Sequence, residues 1–305
     1  MEGEEHSCMA SLRKRRIKER MALFSSRSVL ILINVLALLI LCGLLIKAQP
    51  ILKTVPIAEL LFSSTWHPMQ GHFGLLPFIV STLEVTLLSM VLAVPVCLLS
   101  AIYLAEYAQR RFREISRFII DILAAIPSVI FGLCGVLVIV PFVSLVGESM
   151  GIQTTGYSLL AGGFVLAVMV IPFVISISLE VLRMVPDQIR ESALALGATK
   201  WEMVKHVVLR SAKRGIVAAI VLGFARAFGE TMAVLMVVGN VAEIPASLFD
   251  PAYPLPALIA NNYGEVMSIP LYDAALMSAA LILMIIVSGF SFAAHYTLLK
   301  MGRHS

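Results

Sequence analysis

Residues 191–209 read Glu191-Ser-Ala-Leu-Ala-Leu-Gly197, nine further residues, then Val207-Val-Leu209. They lie in 180–214, an amphipathic, basic stretch that carries too much charge to cross a bilayer. Small residues at Ser192, Ala193, Ala195, Gly197 and Ala198 would let a short helix come close to the surface of another protein. Gly197 supplies a turn or helix end. Glu191 can cap the helix or pair at such a contact.

Outward from this stretch the chain is strongly apolar. Hydrophobic residues make up 59% of the 305 residues and charged residues only 14%, more apolar surface than a soluble domain can cover. Six runs reach the length of a membrane span, at about 28–46, 75–104, 118–146, 157–179, 215–238 and 274–299. The reading is an all-α polytopic membrane protein: a basic tail (1–27), then one transmembrane domain (28–300) of six helices. The long first run and the absence of a small-x-small exit mark an uncleaved span. Residues 47–73 and 106–117 read as connections, 147–156 as a short polar loop. The 239–273 loop, with five prolines, reads as an ordered, non-helical surface. Cys8, Cys42, Cys97 and Cys134 have no disulfide or metal-ligand spacing and read as small apolar packers; the six histidines are scattered, and no metal or cofactor is expected. Nothing in the composition suggests a nucleic-acid partner.

The basic residues set the orientation. Of 23, seven lie in the N-terminal tail, four in 106–117, seven in 180–214 and two after the last run. Only Lys47 and Lys53 fall on the other side, with Arg226 inside a run. The positive-inside rule then puts both termini and 180–214 in the cytoplasm and the 239–273 loop outside.

The spacing of 191–209 resembles the EAA motif of ABC importer permeases: Glu-Ala-Ala, three residues, Gly, nine residues, Ile-x-Leu-Pro. Ser192 replaces the first Ala of that motif, and Arg210 replaces the Pro that sharpens the stop before the next helix. Narrower resemblances are carried by Ile102-Tyr-Leu-Ala-Glu-Tyr107, Ile126-Pro-Ser-Val-Ile-Phe-Gly132, Ala225-Arg-Ala-Phe-Gly-Glu-Thr-Met-Ala-Val234 with Gly239-Asn240, Ser247-Leu-Phe-Asp-Pro and Ile259-Ala-Asn-Asn-Tyr-Gly. These look like the phosphate-specific ABC importer permeases, of the PstC type rather than its PstA partner, over about 75–299. The resemblance implies a type I (MetI-like) permease fold in the cell (inner) membrane, forming the path for inorganic phosphate. It implies a heterodimer with a second, related permease, cytoplasmic ATPase subunits, an extracytoplasmic phosphate-binding protein and surrounding lipid. Glu191, Ser192, Ala193, Gly197, Val207 and Leu209 would form the ATPase-coupling loop. The chain has no Gly-x-x-x-x-Gly-Lys-Ser/Thr loop, so ATP hydrolysis is expected in a partner rather than here.

Arg226 and Glu230 stand out because ionisable residues inside a span are costly and default to function. Four apart, they would lie on one face of a helix. Arg226 lies twelve residues beyond Arg214, or about 18 Å at the helical rise, near the middle of the hydrocarbon. A guanidinium suits an oxyanion, since its planar fork can give two parallel hydrogen bonds. Glu230 has two readings: it holds Arg226 when no substrate is present, or it accepts a hydrogen bond from a protonated phosphate oxygen. A salt bridge that merely ties spans together is the alternative to a substrate path. Glu84 is a second buried acid, readable as path lining or as an interhelical hydrogen bond; Thr231 and Asn240 are weaker candidates. Another oxyanion or small solute in the same importer superfamily is the alternative cargo. An intramembrane enzyme would need a nucleophile, metal cluster or carboxylate pair that the spans do not offer.

Overall fold

The computed structural model describes residues 2–264 and 269–302. Glu265 and Arg303, part of the charge pattern, lie outside the described residues. The described chain is predominantly helical. α1 (Glu2–Thr54) runs without interruption through the tail and the first apolar run, so residues 47–54 continue a helix rather than begin a connection. Then come α2 (Ile57–Phe62) and a small antiparallel hairpin, β1 (Trp66–His67) with β2 (His72–Phe73). α3 (Leu76–Ile102) is prolonged by a π-helical turn, Tyr103–Tyr107.

The third apolar run is divided. α4 (Arg110–Ala125) takes in both the basic connection and the start of that run. It buries no residue, exposes Phe112, Ile115, Phe118 and Ile122, and has the two-faced pattern of a helix lying at a membrane interface. Pro127 breaks the chain, because proline cannot donate the next helical hydrogen bond and holds the residue before it extended. The membrane-length helix therefore begins at Ser128, not at Phe118. It comprises α5 (Ser128–Cys134), a π turn and α6 (Val140–Ser149). Asp121, on α4, lines a cavity of about 350 Å³ against α7 with Arg117, Glu180 and Arg183.

α7 (Leu159–Arg183) is capped by Ser158, whose Oγ accepts from the Ala161 amide. α8 (Asp187–Ala195) and α9 (Lys200–Glu202) follow, and α9 runs through a π turn into α10 (Leu209–Phe228). No break occurs at Arg210. α10 ends at Phe228 rather than continuing to Val238, and a separate short helix, α11 (Met232–Leu235), follows the interruption at Gly229. The 239–273 loop is not wholly irregular, for it contains α12 (Leu255–Asn262), with Pro254 as its N-cap residue and Pro256 in the first turn. α13 (Pro270–Gly302) closes the chain.

Five segments are long and apolar enough to cross a membrane: 23–54, 76–107, 128–149, 159–183 and 270–297. The fifth apolar run is not among them, because Arg210, Lys213, Arg214 and Arg226 charge both ends of α10. The protein is a multi-pass membrane protein.

The bundle is built around the α3–α7 pair, its most extensive helix contact; α10 packs on α7 and α13, and α1 on α13. Its central core includes Val85, Met90, Leu166, Val170, Val234 and Val237. One end is closed by Phe73, Phe78, Tyr253 and Tyr272, with Trp66 edge-on to three of these rings. There Lys47 pairs with Asp273 at 3.1 Å, joining α1 to the start of α13. The opposite end, where α8 lies, is closed by Leu182, Met203, Val204 and Val208.

Helices in lipid approach closely through small residues, because no water is released to drive them together. Gly223 is such a point. A Cβ there would come to 2.5 Å from Val174 Cγ2, so Val174 or its helix would have to give way. Gly223→Ala is expected to destabilise the bundle by about 1–3 kcal/mol, the usual cost of overpacking, read as a lowered thermal midpoint in detergent.

Candidate functional site

Two regions carry most of the candidate residues. In the first, α8 turns sharply into α9. Gly197 ends α8 in the left-handed conformation at φ +86°, with open space where a side chain would stand. The Ala198 amide donates to Ala193 O at 3.2 Å and the Gly197 amide to Leu194 O at 3.0 Å, the two bonds of a Schellman turn. Thr199 then starts α9 with a capping box: its hydroxyl accepts from the Glu202 amide, while Glu202 Oε2 accepts from the Thr199 amide at 2.8 Å and hydroxyl at 2.7 Å. Those two bonds hold the Glu202 carboxyl below the usual carboxylate range.

The turn presents a surface. Leu196 is 89% exposed, and Ile189, Leu194 and Trp201 are exposed beside it in sequence. Glu191 and Ser192 are exposed as well; Ser192 Oγ donates to Gln188 O, and Glu191 makes no hydrogen bond or ion pair among the described residues. Ala193 is half-buried against the adjoining core. Val207 and Leu209 are also half-buried and lie on the continuous helix leading into α10, with Leu209 packed against the Met203–Val208 cluster.

The second region is the break between α10 and α11. Arg226 occupies the last turn of α10, where the helix dipole favours a cation. It is exposed on this chain, its guanidinium carbon 4.8 Å from the centre of the Phe173 ring. It does not pair with Glu230. The helix stops at Phe228, so the four-residue spacing no longer places the two on one face. Glu230 turns to α11 instead, where its Oε1 accepts from the Ala233 amide at 3.3 Å. The reading in which Glu230 holds Arg226 is thus corrected: the charge of Arg226 has no carboxylate partner among the described residues. Thr231 lines a mostly apolar groove of about 510 Å³ between the chain break, α12 and α13.

On α3, Glu84 Oε2 is buried with no hydrogen-bond partner among the described residues, and so is Ser81 Oγ one turn earlier. Buried polar atoms are normally paired, so these two stand out on α3. Asn240 holds a left-handed backbone at φ +55°, donates to Leu235 O and leaves Oδ1 unpartnered. It lines an open groove of about 600 Å³ with Tyr157, Phe249 and Asp250.

Sequence reading missed three features. Leu196 is an ordinary apolar residue until the turn exposes it. Phe173 is one of many ring residues in the spans. Arg190 and Glu106, 84 positions apart, form an ion pair that no local spacing indicates.

A multi-helix membrane bundle, interrupted by a charged helical excursion with an exposed apolar turn, has the architecture of a MetI-like ABC importer permease. It matches a chain of the MetNI methionine ABC transporter in an inward-facing conformation with a TM-score of 0.57 at 21% identity, covering 78% of this chain and 99% of that one. The chain belongs to the binding-protein-dependent transport system inner membrane component family, whose model matches residues 93–302. Among its relatives are the phosphate transport system permease protein PstC of Xylella fastidiosa, 37% identical over 79% of each chain, and the probable ABC transporter permease protein YqgH of Bacillus subtilis, 38% identical over 74% of this chain and 73% of that one.

Proposed function

We propose that this chain is a transmembrane subunit of an ATP-driven importer of inorganic phosphate. It forms the translocation path with a second, related permease; ATPase subunits dock on its α8–α9 turn, and an extracytoplasmic binding protein delivers phosphate to the opposite face. In this reading α10 also crosses, as the fifth of six spans in chain order, its charged start lying at the cytoplasmic interface, and both termini are cytoplasmic in the cell (inner) membrane. The observation that carries the proposal is Arg226, a guanidinium with no carboxylate partner among the described residues, on the helix that leads from the α8–α9 turn. Relatives named for phosphate transport support the choice of anion.

Arg226 faces away from the core of this chain. A bare charge against lipid is costly, so the second permease and a water-lined path are its fitting surroundings. There its fork would hold two phosphate oxygens. Glu230 and Glu84 would admit an anion that still carries a proton to donate, which phosphate does near neutral pH and sulfate does not; Thr231 would line the adjoining wall. Replacing Glu230 by Gln keeps an acceptor for the Ala233 amide but removes the charge that rejects a fully ionised anion. Glu230→Gln is expected to lower the preference for phosphate over sulfate by about tenfold, the scale of one charged hydrogen bond, measured by competition in uptake. Unchanged selectivity removes Glu230 from the path.

The proposal is tested by reconstituting the chain with the ATPase, the second permease and the binding protein, and asking which anion stimulates ATP hydrolysis. Phosphate is the anion expected. Stimulation by a different oxyanion and not by phosphate would reassign the cargo.

A further inference from the structure

The Arg190 guanidinium is the hub of a hydrogen-bond cluster beside the exposed turn. It belongs to α8 but points into the bundle, with its side chain 15% exposed and that of Glu106 5% exposed. Nε and Nη2 both donate to Glu106 Oε1, at 3.3 and 3.0 Å. Nη2 also donates to Leu182 O at 2.8 Å, and Nη1 to Val185 O and to Asp187 Oδ1. All five N–H groups of the guanidinium are used.

The partners belong to different elements. Glu106 stands in the π-helical last turn of α3, Leu182 sits at the end of α7, Val185 in the connection just beyond it, and Arg190 lies on α8. One planar, permanently charged group therefore ties the helix beside the exposed turn to the ends of the two helices that form the central pair. α3 is also the helix bearing Ser81 and Glu84. A buried pair of this kind resists separation, because pulling one partner away leaves an uncompensated charge. Displacement of α8 without α3 and α7 would therefore break these bonds.

We infer that Arg190 and Glu106 are positioning residues for energy coupling: their ion pair transmits movement of α8 to the helices of the translocation path. This rests on the importer reading above. The pair itself is largely buried beneath the exposed face of α8, so breaking it should separate ATP hydrolysis from transport rather than abolish both.

The experiment uses the complete importer in proteoliposomes, measuring phosphate taken up per ATP hydrolysed. Glu106→Ala removes the acceptor; Glu106→Gln keeps an acceptor oxygen but loses the charge. Uptake per ATP is expected to fall about tenfold for Glu106→Ala and less for Glu106→Gln, while hydrolysis without binding protein stays at the unmodified level. An unchanged uptake-to-hydrolysis ratio in Glu106→Ala would overturn the inference. So would a parallel fall in uptake and hydrolysis, or a failure of both variants to assemble, which would make the pair a folding contact only. The unmodified importer decides the parent reading separately: absence of ATP-driven phosphate uptake there rejects the phosphate assignment, whatever the variants do.

Discussion

Arg226→Gln is expected to lower phosphate uptake by about a hundredfold in an assembled importer, as the loss of two charge-assisted hydrogen bonds to one anion implies. Exposure of the residue makes this a clean test. Arg226 lies outside the packed core and makes no ion pair with the described residues, so its loss should leave folding and the α3–α7 packing intact. The Phe173 contact it gives up is a single cation–π interaction. Arg226→Lys should fall between the two, since an ammonium keeps the charge but not the planar fork. Normal uptake by Arg226→Gln, with the variant shown to be assembled, would mean that the guanidinium serves the contact with a neighbouring helix rather than the anion.

The second large effect is expected at the α8–α9 turn. Leu196→Asp should weaken binding of the ATPase subunit by about thirtyfold, the scale of losing one apolar anchor at the centre of an interface. Leu196 is 89% exposed and its backbone is held by the Schellman turn at Gly197, so the substitution alters the surface without disturbing the bundle. Affinity can be measured directly between the purified ATPase and the permease pair in detergent, with thermal stability as the control. An unaltered affinity would place the ATPase elsewhere. Gly197 tests the same surface through geometry: a branched side chain at φ +86° strains the turn and re-aims Leu196.

These two sites were legible to different degrees, for physical reasons. The α8–α9 turn is local. A glycine separated by nine residues from Val207, small residues ahead of it and charge on either side describe a helix end within a few turns of chain, and the Gly197 geometry follows from its residue type. The membrane-length helices are equally legible, because apolar length alone defines them. What fails is inference across a break. The Arg226–Glu230 pairing takes one helix through Gly229, whereas α10 stops at Phe228 and Glu230 accepts from the Ala233 amide of the next helix. The start of the third span was misplaced because the apolar face of α4 merges, in sequence, with the run beyond Pro127. In 239–273 the five prolines read as an ordered, non-helical surface, yet Pro254 and Pro256 begin α12, where a missing N–H costs nothing.

Arg190 and Glu106 could not be found by spacing at all. Their relation is set by the packing of α3 against α7, which brings the end of one helix beside the start of α8. The unpartnered atoms of Ser81 and Glu84 likewise become visible only once the rest of the chain has been paired.

The central claim is that this chain is one wall of a phosphate path driven by ATP in another subunit. It is tested most directly by labelled phosphate uptake into proteoliposomes containing the permease pair and the ATPase, with the binding protein on the face opposite the ATPase. Accumulation that requires ATP and the binding protein, and is lost with Arg226→Gln, is the predicted result. Phosphate movement that is indifferent to ATP, or no movement at all in the assembled importer, would contradict it.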